Sequence, residues 1–394
     1  MGERSQLRLQ LSVSGLVAAS FTNVYITQPI LPVLQGEFSA DTVLVSFTVS
    51  AVILGIAIAN LPFGFLADRL SIHPIILTGG LLVASAGVVC SFTTNLWVFI
   101  GARFVQGLFI PALTTCLAAY LARTVPAARL NVVMGSYVSA TVVGGLGGRL
   151  LGGWIHPPQH WRHAFVSAAV LILTATLVAF RGLPRATADA GRPQDSTRFL
   201  ALLTRWDLLR IYVCAAGSFS LFSSVFNYLP FRLTGPPFHL STRLTTLLYL
   251  SYIVGIFMGP TAGRISNRYG SGNTVVVGSL VLGGSLGLIL LPSLTAVALG
   301  LLAICAGFFT IHAAAVGALN RRLSSGQGRA NALYVLFYYA GGWLGITGSG
   351  FAYTHGGWGA VILTCALLLF IPLGAGIAER GMKTRRTPGR TEGR

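Results

Sequence analysis

The chain predicts an all-α membrane protein, with twelve transmembrane helices in two pseudo-twofold related six-helix bundles. Three observations carry this expectation. Of 394 residues, 54% are hydrophobic and 9% charged, with a mean hydropathy of +0.74, whereas an ordinary soluble domain is about a quarter charged. Apolar runs of about 18 residues or more, the length that crosses a bilayer core, recur along the whole chain. Several local patterns also repeat at a nearly constant offset of 197 to 199 residues, which marks a duplicated unit.

The repeats are specific. Gly64, Asp68 and Arg69 in one apolar-flanked stretch return as Gly263, Asn267 and Arg268, and Leu31-Pro32 returns as Leu229-Pro230. Gly144, Gly145, Gly148 and Gly153 before Trp161 return as Gly341, Gly342, Gly345 and Gly350 before Trp358. They divide the chain into an N-terminal bundle (1–180), a linker (181–207) rich in Arg, Pro, Asp and Ser, and a C-terminal bundle with a basic tail (208–394).

Taken in order, the first apolar run, 11–34, carries Asn23, Tyr25, Thr27 and Gln28 ahead of Pro29 and Pro32. Unpaired polar groups in lipid cost several kcal/mol, so these side chains should face a bundle interior, and the prolines should kink the helix by removing backbone donors. The run is too long for a signal peptide and shows no cleavage site. Glu37 and Asp41 follow in a loop and are the acids nearest the membrane, because none of the nine acids falls near the middle of a span. Spans 43–65 and 74–92 flank the Gly64–Arg69 stretch, read as a tight turn on which Asp68 and Arg69 form a cytoplasmic gate with His73, Gly263, Asn267 and Arg268. Span 96–121 holds Arg103 and, at i+3 on the same face, Gln106. An arginine inside a membrane helix demands a partner, a wet cavity or an anion.

Span 131–154 carries the glycine ladder Gly144, Gly148 and Gly152, suited to close helix packing, and a second intramembrane cation, Arg149. Span 163–180 closes the first half. In the second half, 208–231 repeats the polar tail of the first helix as Asn227 and Tyr228. Spans 244–264, 274–291 and 295–320 follow, the last with His312, the one histidine well inside a span. The remaining spans are 330–353, with Tyr334 and Tyr338 and the packing glycines Gly341 and Gly345, and 358–378. Histidine's ordinary pKa near 6.5 suits proton exchange, which makes His312, with Arg103, Glu37 and Asp41, a proton-coupling candidate. Asn23, Tyr25, Gln28, Arg103, Gln106, Arg149, Asn227, Tyr228, Tyr334 and Tyr338 are the substrate-cavity candidates.

The net charge of +18 could suggest a nucleic-acid binder, but its placement argues otherwise. With the N-terminus cytoplasmic, 22 of the 27 Lys and Arg fall in cytoplasmic loops and tails, three in the opposite loops and two inside helices. That split fixes both termini in the cytoplasm. The five cysteines have no metal or disulfide spacing and read as apolar packing residues.

The Gly64-x-x-x-Asp68-Arg69 stretch resembles the loop signature of the major facilitator superfamily, with Ser71 at its second glycine and Ile72-His73 where arginines are usual. Arg103-x-x-Gln106-Gly107 resembles the signature of that superfamily's drug/proton antiporters. The glycine ladder resembles their Gly-x-x-x-Gly-Pro-x-x-Gly-Gly motif, with Arg149 in place of the proline. Trp161-Arg162-x-x-Phe165, Asn227–Arg232, Gly307–His312 and Leu333–Gly341 resemble stretches of a bacterial inner-membrane branch labelled arabinose-efflux-like or multidrug-efflux-like. The resemblance implies the major facilitator fold and a proton-driven multidrug-type efflux carrier of the inner membrane for a small molecule. The chain is expected to work as a monomer among lipids, its glycine ladders consumed within one chain, with no cofactor beyond the proton gradient and no metal. Two buried cations without an intramembrane acid favour a neutral or anionic substrate. One alternative is a uniporter or proton symporter importing an anionic metabolite. A membrane-embedded enzyme or sensor is disfavoured, because no catalytic, metal or nucleotide motif is present.

Overall fold

The computed structural model describes residues 3–125, 127–156, 158–184, 199–323 and 326–385, and within helices it leaves out the side chains of residues 3–8, 68, 127–132 and 381–385. Among the described residues the chain consists of helices joined by short connections, with no strand. α1 (Glu3–Tyr25) breaks before a 3-10 turn over Gln28–Ile30, then resumes as the short α2 (Leu31–Glu37). The cause is local: Pro29 offers no N–H and disfavours helical geometry at Gln28 before it. α3 (Thr42–Arg69) begins at Asp41, whose carboxylate accepts the Leu44 N–H at 2.7 Å, a normal N-cap. α4 (Ile72–Phe92) and α5 (Leu96–Leu113) follow, the latter capped by the Asn95 side chain. α6 (Thr115–Thr124), α7 (Ala127–Leu150) and α8 (Trp161–Gly182) complete the first half, with α7 ending in a π turn over Leu151–Ile155.

After α9 (Phe199–Leu203), the second half contains α10 (Trp206–Thr234), α11 (Thr242–Leu247) and α12 (Val254–Tyr269), with a 3-10 turn over Leu248–Ile253 between the last two. α13 (Ser271–Leu290), α14 (Leu294–Arg321) and α15 (Gln327–Arg385) finish the chain, α15 being broken at Gly356 and Gly357, where φ is +58° at Gly357. Only glycine takes that angle at no steric cost.

Ten helical stretches among the described residues are long and apolar enough to cross a bilayer, against twelve expected. The last of the ten runs through both the eleventh and twelfth expected spans, without a loop at the Gly356–Gly357 break. The expected fifth span is α7, whose glycines and Arg149 dilute its apolar content. A second difference concerns the Gly64–Arg69 stretch: it is the last turns of α3, not a turn between helices, and only Leu70 and Ser71 connect α3 to α4. Pro62 sits inside α3 without ending it.

Packing repeats between the halves. α1 lies on α7 as α10 lies on the first arm of α15, and α4 packs on α5 as α13 packs on α14. Glycine fixes the register of the first pair. A Cβ on Gly144, Gly148 or Gly152 would stand 2.2, 2.2 or 2.1 Å from the carbonyl oxygens of Ala18, Thr22 and Ile26, and one on Gly341 or Gly345 would stand 2.3 or 2.5 Å from those of Ala216 and Ser220. Only bare backbone allows approach this close. The halves meet where α3 runs along α15, where Asn227 Nδ2 donates to Ser46 Oγ at 3.1 Å, and where Asn60 Nδ2 donates to the Ala332 carbonyl at 3.1 Å. All five cysteines are buried and free of disulfides.

Candidate functional site

Six of the expected cavity residues gather in two clusters, one around each buried arginine, and the other four lie elsewhere. Arg103, on α5, is 0% exposed. Its Nε donates to the Thr48 carbonyl at 3.0 Å, Nη1 to the Asn23 carbonyl at 2.6 Å and Gln106 Oε1 at 2.5 Å, and Nη2 to the Val24 carbonyl at 2.7 Å and Thr27 Oγ1 at 3.5 Å. A guanidinium has five N–H donors, so every one is taken. The Asn23 and Val24 carbonyls lie just before the break in α1, and Arg103 replaces helical donors lost there. Gln106 is held in turn, donating to the Val83 carbonyl at 3.1 Å and Asn23 Oδ1 at 3.4 Å. This cluster is a closed structural knot.

Arg149, on α7, is 1% exposed and is held differently. Nε donates to Gln28 Oε1, Nη1 to the Gly145 carbonyl and Nη2 to the Tyr252 hydroxyl, each at 2.8 Å. The guanidinium carbon lies 4.1 Å from the ring centroids of both Tyr25 and Tyr252 and 5.1 Å from that of Tyr249. Aromatic faces stabilise a desolvated cation by about 2 kcal/mol, but no carboxylate forms a salt bridge with it among the described residues. Tyr25 and Gln28 come from the first half, and Tyr249 and Tyr252 from the second, so the cage spans the seam.

His312, Tyr334 and Tyr338 come together on the second half. His312 Nδ1 lies 2.9 Å from the Tyr334 hydroxyl, the imidazole stacks on Phe308 at 6.0 Å, and Tyr338 stacks on Phe219 at 3.8 Å. An aromatic chain joins this group to the Arg149 cage: Phe308 stacks on Phe222 at 4.0 Å, and Phe222 and Phe226 pack edge-on against Tyr252 at 5.3 and 4.6 Å. Asn227 and Tyr228 lie apart from both clusters. Tyr228 donates to the Ile346 carbonyl at 2.8 Å, and Asn227 Oδ1 has no partner.

The two membrane-edge acids have local roles. Glu37 pairs with Arg162 at 2.7 Å, partly exposed, and Asp41 caps α3. Among the residues expected to form a gate, Arg69 is exposed and His73 Nε2 lies 3.1 Å from the Leu183 carbonyl. The Asp68 side chain is outside the described residues. Gly64 and Gly263 lie inside helices with open space where a Cβ would stand. Asn267 accepts a bond from Arg321 at 3.4 Å, and Arg268 lies 5.2 Å from the Tyr269 ring. Tyr249 and Tyr252 complete the Arg149 cage and were not among the expected residues: inside an apolar run, two tyrosines three apart carry no signal until Arg149 is placed between the halves.

Comparisons with known proteins agree with this architecture. The family model described as Major Facilitator Superfamily matches residues 13–321. The chain is 29% identical to the inner membrane transport protein YnfM of Escherichia coli (strain K12), over 93% of this chain and 89% of that one. It is 26% identical to the uncharacterized MFS-type transporter YybF of Bacillus subtilis (strain 168), over 90% and 89%. Among solved structures, a bacterial homolog of the human lysosomal transporter Spinster, inward-facing and unoccupied, superposes with a TM-score of 0.75 at 14% identity, covering 99% of this chain and all of that one. The inward-facing, occupied form gives 0.76 at 13% identity, covering 98% of each. At these identities the structural likeness speaks to fold alone.

Proposed function

The chain belongs to the Major Facilitator Superfamily and is a multi-pass membrane transporter, and on that premise we propose that it is a proton-coupled antiporter exporting a small neutral or anionic organic molecule by alternating access. It acts as a monomer of two six-helix halves, 1–180 and 208–394 joined by 181–207, in a bacterial inner membrane with both termini cytoplasmic, drawing on the proton gradient and no bound cofactor. The observation that carries the substrate class is Arg149, a buried cation at the seam with no acid beside it. Such a site repels cations and gains from an anion. The export direction rests on the antiporter-like Arg103–Gly107 and glycine-ladder motifs.

His312 is the proton carrier in this reading. No span holds a carboxylate near its middle, and the imidazole is half-buried with Tyr334 on Nδ1 and its other nitrogen available. Protonation makes both ring nitrogens donors, so the Tyr334 hydroxyl must then accept, which ties the charge state of α14 to the position of α15.

Proteoliposomes loaded with a pH-sensitive dye test the coupling. When a carboxylate or neutral solute from a panel is added outside, antiport alkalinises the lumen, symport acidifies it and uniport leaves it unchanged, relative to protein-free vesicles. We expect alkalinisation, and His312→Gln should abolish the pH change while leaving solute exchange intact. Full proton movement in that variant would remove the histidine from the mechanism, and acidification in the unmodified protein would reverse the direction of coupling.

A further inference from the structure

Resting on the transport reading, the structure allows the substrate class to be narrowed. The two buried arginines are not equivalent. Arg103 spends all five donors on fixed acceptors, four in the backbone or on Thr27 and one on Gln106. Arg149 spends three, one from each nitrogen, so Nη1 and Nη2 each retain a second N–H, and two such donors suffice for a bidentate bond to a carboxylate. The guanidinium carbon of Arg149 lies over the Tyr25 and Tyr252 rings, 4.1 Å from each centroid. A carboxylate bonded to the remaining N–H groups lies in the guanidinium plane.

The aromatic chain that continues from Tyr252 sets the body of the ligand. It runs through Phe226, Phe222 and Phe308 to His312, and its phenylalanines, buried in this arrangement of the halves, meet a ligand when the seam opens. Planar rings gain from offset or edge contacts with such a wall beyond their area alone. Tyr25, His312 and Tyr338 are half-buried and form its rim. One cation in an otherwise uncharged site matches one negative charge. A second negative charge would be buried without a partner, at a cost of several kcal/mol.

We propose that the seam between Arg149 and the Phe222–Phe226–Phe308 wall binds an aromatic monocarboxylate as it opens, with its carboxylate on the unspent Nη1 and Nη2 donors of Arg149 and its ring along the wall. Arg149 is then the residue that reads charge, and the phenylalanines read planarity.

The test is ligand-dependent thermal stabilisation of the purified full-length chain in lipid nanodiscs, which needs no gradient and assumes no direction of transport. The probes are 1-naphthoate, its carboxamide, 1-naphthylmethylammonium, naphthalene-1,8-dicarboxylate and hexanoate. We expect 1-naphthoate to bind at least tenfold more tightly than each of the others. Arg149→Gln should lose that tenfold preference over the carboxamide, while Arg149→Lys keeps part of it. Phe222→Leu should weaken 1-naphthoate without affecting hexanoate. The proposal is overturned if millimolar 1-naphthoate gives no stabilisation, if the carboxamide or the ammonium probe binds as well, or if Arg149→Gln keeps full preference. Should Arg149→Gln fail to fold, the acid against amide comparison on the unmodified protein decides alone. Failure of proton coupling in the dye assay leaves this binding result standing, and the reverse also holds, so the two readings fail separately.

Discussion

The two halves share a scaffold and differ in what they hang on it. The glycine contacts set the correspondence: Gly144 on Ala18 matches Gly341 on Ala216, and Gly79 against the Phe109 carbonyl matches Gly278 against the Gly307 carbonyl. In that register Asn23 falls opposite Leu221, Gln28 opposite Phe226, Arg103 opposite Leu301, Gln106 opposite Ile304 and Arg149 opposite Ile346. The polar residues form the bonded clusters of the first half, and their five counterparts are fully buried hydrophobics. Backbone approach thus repeats while side-chain chemistry diverges, giving one half that presents hydrogen-bond donors and one that presents rings. For a carrier whose halves rock about a seam, the proposed site turns this asymmetry to use, with charge read by one side and shape by the other.

The largest expected effect tests why the first half needs Arg103 when the second manages with Leu301. α10 runs unbroken to Thr234 through Pro230 alone, whereas α1 meets Pro29 and Pro32 and breaks. Pro32 corresponds to Pro230, so Pro29 is the added lesion, and Arg103 mends it. Arg103→Leu should strand the Asn23 and Val24 carbonyls and Gln106 Oε1. At about 1–3 kcal/mol for each buried unsatisfied group, the loss should exceed about 3 kcal/mol, read as a fall in thermal stability and in monodisperse yield. Adding Pro29→Asn, the residue that Asn227 supplies at the equivalent place, should recover part of it. If Arg103→Leu is neutral, Arg103 is not a structural knot and the contrast between the arginines collapses.

A smaller effect tests the shared scaffold. Gly144→Ala and Gly341→Ala each place a methyl group within 2.3 Å of a partner carbonyl oxygen, closer than atoms can stand, so the helices must separate. Overpacking of this kind costs about 1–3 kcal/mol, and both variants should lose stability to a similar extent in thermal unfolding of the purified protein. A large loss in one half and none in the other would mean that the apparent symmetry is not an energetic one.

How much of this was legible in the sequence follows from range. The halves were readable because glycines and prolines act on their own backbone and leave a periodic trace: Gly144/Gly341 and Pro32/Pro230 needed no partner to be seen. His312, Tyr334 and Tyr338 were each readable as site candidates, being polar side chains inside apolar runs, but the hydrogen bond between His312 and Tyr334 was not. The separate fates of Arg103 and Arg149 were not readable, because both are arginines in apolar runs and what distinguishes them is which carbonyls and rings other helices bring. The end of α3 was misplaced for a related reason. Gly64, Asp68 and Arg69 have turn-like composition, but neighbouring helices override such preferences, and Arg123 Nη2 donates to the Ala67 carbonyl there.

The least of the expected effects lies at the connection between the last two helices of each half. In the second half α15 passes this point with only the Gly356–Gly357 break, while in the first the π turn ends at Ile155, a 3-10 turn over Pro158–His160 leads into α8, and histidines gather: His163 stacks on His160 at 5.4 Å and faces His156 at 6.2 Å. Burial, and secondarily His163, holds the His156 pKa below its ordinary 6.5, and its Nε2 lies 3.1 Å from Ser167 Oγ. A histidine whose pKa is depressed on folding binds its proton more readily in the unfolded chain. Its stabilising contribution is therefore intact above the unfolded value and lost as pH falls through about 6.5 toward the folded one. Thermal melts of the purified protein should show stability declining below that pH, and His156→Gln should flatten the decline by on the order of one degree in Tm. An unchanged pH profile in the variant would assign any acid sensitivity to groups outside this connection and remove one of the chemical differences between the halves.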